Sequence, residues 1–467
     1  MKKHLHLAVL NLIPALFFAQ SVNFSQPSGS PITISTTSLR GITSADLNGD
    51  GKKDFVVGNA YSSNINIYLG NGNGQFTTAP GSPMLIGNGV ISNAIADFNN
   101  DGKPDIATAN YNGGNISINL GTGTGSFTPA SIPMYATGSL PYWIEAGDFN
   151  NDGNMDLVTV AASAGKVYVF LGAGNGTFSQ SVGSPYTTGT MPYHVSIGFF
   201  NADNIPDFAV ANGSSANVSV FIGTGTGSFT IASGSPYSVG SEPRTISVKD
   251  INNDSKADLI VANGTGNTIS VLLGQATGSF TNAAGSPISI GTYAYQTAIA
   301  DYDSDGKMDI AVTNNGSNTM IVLLGNGTGG FTQTINSPIS VGTQPQAICT
   351  NDFNGDGKAD LLIGDFGSNK LTVFMNINSV GINNLTNTLQ SVSVYPNPSI
   401  GNLVIRIDEL KPGTEFILYN SLGQQSDKIS LTEKETIYNQ NNLTKGIYTY
   451  SILYQSEVLE SGKVLFE

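Results

Sequence analysis

Residues 92–110 read SNAIADFNNDGKPDIATAN: an apolar run, an acidic loop, and a second apolar run. The loop recurs with starts at Asp46, Asp97, Asp148, Phe199, Asp250, Asp301 and Asp352, and every interval is 51 residues. So regular a spacing makes most of the chain one supersecondary unit used seven times. Each unit carries two more strand candidates. In the second copy, FTTAPGSPMLIG from Phe76 precedes the loop strands and NISINLGTGTG from Asn115 follows them. Four short strands and no helix per unit predict an all-β chain folded as a seven-bladed β-propeller.

In five copies the strand after the loop pair ends in LGxGxGxF, at Leu69 to Phe76, Leu120 to Phe127, Leu171 to Phe178, Ile222 to Phe229 and Leu324 to Phe331, with Gln275-Ala276 blurring the copy at Leu273 to Phe280. A dinucleotide site needs a helix after its glycines. Here an aromatic and another strand follow, so the glycines read as turns. The two ends of the array are incomplete in complementary ways. The seventh copy runs through Leu371 to Ile377 with no glycine run behind it, while an orphan FSQPSGSPITIS stands at Phe24 to Ser35. The N-terminal segment is therefore expected to supply the outer strand of the last blade and cover its open edge.

The loop pattern DxNxDGxxD offers oxygens at positions 1, 3, 5, 7 and 9, which suits a hard cation and favours Ca²⁺ over Mg²⁺. In blade one these are Asp46, Asn48, Asp50, the carbonyl of Lys52, and Asp54. Blade two has Asp97, Asn99, Asp101, Lys103 and Asp105, and blade three Asp148, Asn150, Asp152, Asn154 and Asp156. Blade six has Asp301, Asp303, Asp305, Lys307 and Asp309, and blade seven Asp352, Asn354, Asp356, Lys358 and Asp360. Blade five keeps Asp250, Asn252, Asp254 and Asp258 but has Ser255 at the turn glycine. Blade four has Phe199 at position 1, retaining Asn201, Asp203 and Asp207, so its loop should be weak or empty. Carboxylates this close repel by roughly 3 to 4 kcal/mol per pair at an effective dielectric near 20. About six structural Ca²⁺ ions are thus expected. An EF-hand is excluded, because position 12 lies in an apolar strand run instead of supplying a glutamate.

Of the 33 acidic residues, 21 lie inside the seven loops, so the net charge of −14 is local, points to cations and offers nothing to nucleic acid. Residues 1–19, with Lys2-Lys3 ahead of the apolar run from Leu5, read as a signal peptide. His6, Asn11 and Pro14 argue against a retained membrane helix, and no transmembrane segment is expected in the mature chain. A single cysteine, Cys349, excludes an intrachain disulfide framework and reads as a core thiol.

The repeats resemble the FG-GAP or VCBS repeats of bacterial secreted proteins, related in pattern to the integrin α-subunit propeller, over residues 20–378. The resemblance implies calcium in the loop joining the first two strands of each blade, and a role in adhesion or ligand binding. Composition shifts after Asn378. A linker at 379–389 leads to a small β-sandwich at 390–467. Tyr395-Pro396-Asn397-Pro398, Gly401-Asn402, Leu443 to Tyr448 and Lys463-Val464-Leu465 make that module similar to the type A sorting domain of the type IX secretion system. The similarity implies the type IX machinery as a partner and export to the outer-membrane surface, or release, in a Gram-negative, Bacteroidetes-like bacterium.

After the signal peptide the chain has one histidine, His194, one cysteine, and no HExxH, GxSxG or CxxC. No catalytic residue is expected, and an enzyme is argued against. Outside the loops the ring holds three acids, Glu145, Glu242 and Asp365. Counting six residues back from each loop start reaches the opposite face, about 20 Å away. The equivalents there are Arg40, Ile91, Tyr142, Tyr193, Arg244, Tyr295 and Gln346, with Tyr61, Tyr111 and Phe366 on neighbouring loops. Tyr142, Trp143, Tyr193, His194, Arg244 and Tyr295 are the candidate ligand-binding residues, for a glycan or a surface protein. The leading reading is a non-catalytic, calcium-binding, secreted or surface binding protein. The alternative is a polysaccharide-active enzyme or lectin-like accessory protein using the same aromatic face.

Overall fold

The computed structural model describes residues 21–378 apart from 35–37 and 139, and residues 392–466 apart from 397, 400–401, 409, 421–424, 440–442 and 455–456. The expected signal peptide and linker lie outside the described residues, as do Asn397 and Gly401 of the expected sorting motif. The chain divides into two compact units after Asn378.

Among the described residues the first unit consists of seven antiparallel sheets, one per repeat. In blade one the inner strand Leu39–Ala45 pairs with Asp54–Asn59, which pairs with Asn64–Gly70, which in turn pairs with Phe76–Thr78. Inner strands of successive blades pack side by side, and Leu39–Ala45 packs against the blade-seven inner strand Pro345–Asn351, so the ring closes. Each second strand is buried along its whole length, as in Asp54–Asn59 and Asp207–Asn212. Neighbouring blades cover both its faces, and its sequence is accordingly a continuous apolar run with no polar alternation.

Most outer strands break in two around a Gly-Ser-Pro turn. Phe229–Ile231 and Tyr237–Ser238 both pair with Asn217–Gly223, and the Val220 amide at the break donates to Ser235 Oγ at 2.9 Å. Blade two has Pro133 where this serine belongs. Its outer strand Phe127–Ala136 runs on as one piece with a bulge. The N-terminal segment closes the ring as the sequence predicts: Phe24 pairs with Asn376 and Ile32 with Leu371, on the outer side of blade seven. Ser30 there takes the turn-serine role, accepting the Val373 amide at 3.0 Å. The Phe24 ring sits edge-on to Tyr302 and Phe374.

The second unit has a three-stranded sheet (Val392–Tyr395, Asn402–Ile407, Glu435–Asn439) and a four-stranded one (Gln425–Ser430, Thr414–Tyr419, Gly446–Tyr454, Glu457–Phe466). Leu403, Ile405, Phe416, Leu418, Ile452 and Phe466 form the core of this β-sandwich. Among the described residues no helix is long and apolar enough to cross a membrane.

Candidate functional site

Each acidic loop joins a first strand to a second, at the end of the ring away from the inner-strand starts. In blade one, Asp46 Oδ1 accepts the amides of Gly49 and Asp50, and Oδ2 accepts that of Gly51 at 2.8 Å. Asn48 Oδ1 accepts the Asp50 amide and Asp50 Oδ1 the Lys52 amide. The position-1 contact recurs from Asp97 to Gly102, Asp148 to Gly153, Asp301 to Gly306 and Asp352 to Gly357. Position 3 behaves alike in Asn99, Asn150, Asn252, Asp303 and Asn354, and position 5 in Asp101, Asp152, Asp254, Asp305 and Asp356. The position-7 lysines fold back on the position-5 carboxylates: Lys52 Nζ lies 3.4 Å from Asp50 and Lys103 Nζ 3.2 Å from Asp101, with Lys256, Lys307 and Lys358 doing the same. Such exposed pairs contribute little stability.

Position 9 behaves differently. Asp54 is fully buried, with Oδ2 accepting the Leu47 amide and Oδ1 the Gly70 amide, both at 2.8 Å. The same two-amide clamp is made by Asp105, Asp156, Asp207, Asp258, Asp309 and Asp360. Its presence in blade four, where Phe199 replaces the first carboxylate, gives this aspartate a folding role independent of any cation. An aspartate at the ninth position is thus no sign of a cation by itself, because the buried ladder ends need these oxygens. Burial pushes Asp156, Asp207 and Asp360 up to about 6.

The loop oxygens fit a cation best in blade six. Carboxylate oxygens of Asp301, Asp303 and Asp309 converge within 4.8 Å of one another, and Asp303 Oδ2 is buried with no hydrogen-bond partner. Burial, with neighbouring carboxylates adding to it, pushes Asp303 up to about 6 and Asp309 to about 7. In blade five Ser255 adopts φ 65° at the turn and still donates its amide to Asp250. In blade four the Phe199 side chain is 55% exposed, Asn204 takes φ 59°, and Asn201 and Asp203 keep their loop bonds.

The opposite mouth is built by a repeated irregularity. Every inner strand slips register near its start, as between Pro141 and Trp143 or Pro192 and His194. A bulge of this kind leaves one residue unpaired and re-aims it. Tyr142, Tyr193, Arg244 and Gln346 occupy that unpaired position and line one small cavity with Arg40, Ile91 and Tyr295. The cavity itself measures about 10 Å³. Arg40 hydrogen-bonds Tyr142, whose hydroxyl lies 3.3 Å from that of Tyr295. The Arg40 guanidinium stands 5.1 Å from the Phe366 ring centre, and that of Arg244 4.4 Å from Tyr193. Tyr61 packs on Phe366 and Tyr111 on Tyr142, so rings and guanidiniums form a continuous arc.

One proposed ligand residue turns elsewhere and a second serves the mouth and the core together. His194 is 4% exposed and stacks on Trp143 with ring centres 4.1 Å apart, between blades three and four. Burial holds its pKa near 3, so it is a neutral packing group and is withdrawn from the candidate face. Trp143 reaches the cavity floor but packs with the same interblade core. Two mouth residues escaped the sequence reasoning. Glu242 pairs with Arg244, and Tyr293 donates to Glu242 Oε1 at 3.0 Å. Both sit on the positive-φ turn just before an inner strand, a position repeated at Ser38, Leu140, Met191 and Gln344. That recurrence at 51 residues was the available signal.

Further along the axis, polar side chains tie neighbouring blades together. Ser92 Oγ accepts the Ile144 amide, Glu145 Oε2 that of Ile197, and Gln296 Oε1 that of Ile348. Glu145, pushed up to about 7 by burial, is one of these ties. Cys349 lies 3.2 Å from Ser44 Oγ, and burial raises its thiol pKa.

Comparison with known proteins agrees with this geometry. Residues 393–465 match the secretion system C-terminal sorting domain, and the chain thus carries a type IX sorting tail. Cartilage acidic protein 1 of Mus musculus is 30% identical over 128 residues, and the match spans 26% of this chain and about a fifth (19%) of that relative. Among solved structures, BBS1N in complex with ARL6DN superposes with a TM-score of 0.51 in its lead-soaked form, at 14% identity, covering 78% of this chain and 98% of that one. The mercury-soaked form gives 0.50, at 14% identity, over 77% of this chain and 98% of that one. These likenesses show the fold alone. The FG-GAP-like repeat model matches residues 46–108, 97–159, 200–261, 250–312 and 301–363, more than half of the chain, and the protein belongs to the FG-GAP-like repeat family.

Proposed function

We propose that this secreted propeller is a non-catalytic binding protein, stapled by calcium at one rim and presenting its ligand face at the other. The observation that carries the reading is the contrast between the two ends. Seven loop copies stay nearly alike, whereas the seven equivalent bulge positions diverge into Tyr142, Tyr193, Arg244, Gln346 and their neighbours, and those side chains meet at one mouth. Uniform copies suit a structural task, and divergence around an axis suits recognition of an asymmetric ligand.

Calcium would be held by positions 1, 3, 5 and 9 and the position-7 carbonyl in blades one, two, three, five, six and seven. Its charge offsets the carboxylate repulsion that Asp303 and Asp309 feel in blade six. With free calcium at ten times the dissociation constant, each site adds about 1.4 kcal/mol of stability. The absence of a role in catalysis is supported by the polar groups nearest the axis. Glu145 is engaged with a backbone amide, and His194 and Cys349 are packed away. The sorting tail supports retention at the outer surface or release from it.

A glycan and surface-protein array probed with the purified calcium-loaded ring, followed by product analysis of each hit, tests the reading. Retention without turnover, lost on Tyr142→Ala together with Tyr193→Ala, is the expected result. Turnover of a retained polysaccharide would instead establish the enzyme alternative.

A further inference from the structure

The mouth contains two guanidiniums and one carboxylate. Glu242 pairs with Arg244, whereas Arg40 has no acidic partner and bonds only to the Tyr142 hydroxyl among the described residues. The faces of both guanidiniums are taken by aromatic rings, Phe366, Tyr142 and Tyr295 for Arg40 and Tyr193, Tyr293 and Tyr295 for Arg244. In the plane, Arg40 Nη1 donates to Tyr142 and Arg244 Nη2 to Glu242 and Tyr293, but the Nε edges stay open. Arg40 Nε and Arg244 Nε are both buried with no hydrogen-bond partner. A guanidinium edge left in this state demands an acceptor, and a carboxylate supplies the planar match. The cavity between them, about 10 Å³, holds one oxygen-sized atom. Acidic groups elsewhere do not spoil the site, because nearly all of the ring's carboxylates belong to the loops at the other rim.

Around this cationic centre stand rings with free surface. Tyr61 is 73% exposed beside Phe366, and Tyr111 rests on Tyr142. Amphipathic rings around a small polar centre suit a saccharide, whose C–H faces lie on aromatic surface while its hydroxyls stay wet. We propose that the mouth binds an acidic glycan, with a uronic-acid carboxylate oxygen seated between Arg40 and Arg244. The inference rests on the reading of the mouth as the ligand face and adds the chemistry of what is read.

The test is calorimetric titration of the calcium-saturated full chain at low salt with trigalacturonate, its fully methyl-esterified form, and an oligoglutamate peptide. Trigalacturonate should bind at least tenfold more tightly than the ester, with affinity falling as salt rises. Arg40→Lys keeps the charge and removes the Nε edge, and should weaken acid binding about tenfold while leaving the melting temperature in place. Tyr61→Ala, at an exposed position, should weaken acid and ester alike. Equal binding of acid and ester, or acid binding indifferent to Arg40→Lys, overturns the carboxylate assignment but leaves a ligand face standing. Binding of oligoglutamate without trigalacturonate also overturns it, in favour of an acidic protein partner. No retention of any probe in the array or the titration removes both readings.

Discussion

In blade four the Gly223 amide donates to Asp207 Oδ1 at 2.8 Å, although the loop that contains Asp207 has lost its first carboxylate to Phe199. The ninth aspartate is thus a buried knot between the loop and the end of the third strand. Asp207→Ala would strand the amides of Phe200 and Gly223 and should cost about 3 kcal/mol. The loss should be equal in calcium and in a chelator. Asp97→Ala should lower stability mainly in calcium, and paired urea melts of the two variants read the difference.

Phe199→Asp restores the missing position beside Asn201, Asp203 and Asp207, in a loop whose turn residue Asn204 already holds φ 59°. The variant should bind one more calcium equivalent than the parent, counted by equilibrium dialysis, and should raise the melting temperature only when calcium is present.

Asp365 ends the second strand of blade seven, where other blades carry Asn59, Asn110, Asn212, Asn263 and Asn314. Asn59, Asn110, Asn212 and Asn263 donate inward, as Asn110 does to Asn115 and Ser117. Asp365 is fully buried against Ser368 and the Gly342 backbone, neither oxygen reaches a donor at normal geometry, and Lys370 is the nearby cation. Burial pushes it from 3.8 up to about 7. A carboxylate raised on folding favours the folded state below its unfolded pKa, and that stability is lost as pH rises through about 7. Asp365→Asn should therefore gain on the order of 2 kcal/mol at pH 8 and almost nothing at pH 4, read from urea melts at both.

Ser30 Oγ accepts the Val373 amide across 343 residues of chain. Ser30→Ala should cost about 1 kcal/mol. Deleting residues 21–34 should do more, because the blade-seven strand Lys370–Asn376 then becomes an open edge. Light scattering after size exclusion should find the deletion variant self-associated and the serine variant monodisperse with the parent.

The repeat count, the clasp and the identity of the mouth residues were legible because a fixed 51-residue period carries register from copy to copy. Counting back from Asp148 reached Tyr142 correctly. The bulge between Pro141 and Trp143 breaks the two-residue alternation, so Trp143 packs against the interblade core while still lining the cavity, and His194 in the following blade is buried there. The ninth aspartate was ambiguous for another reason. An oxygen suited to a cation and one suited to two backbone amides require the same side chain, so the loop pattern alone does not reveal the amide clamp that Asp54 makes and Asp46 does not. Tyr293 and Glu242 were missed because they precede the strand, on a turn whose φ is invisible to hydropathy.

The clasp also imposes an order of events. Phe24 and Ile32 find their strand partners among residues 370–376, the last strand of the ring to be synthesised. Six blades can form in sequence, each on its predecessor, but the seventh waits for both ends of a loop of some 340 residues to meet. Such non-local pairing is slow relative to hairpin formation. An unfinished ring consequently exists for as long as the chain is being made or threaded, and closure of the circle is the last step by which the molecule becomes whole.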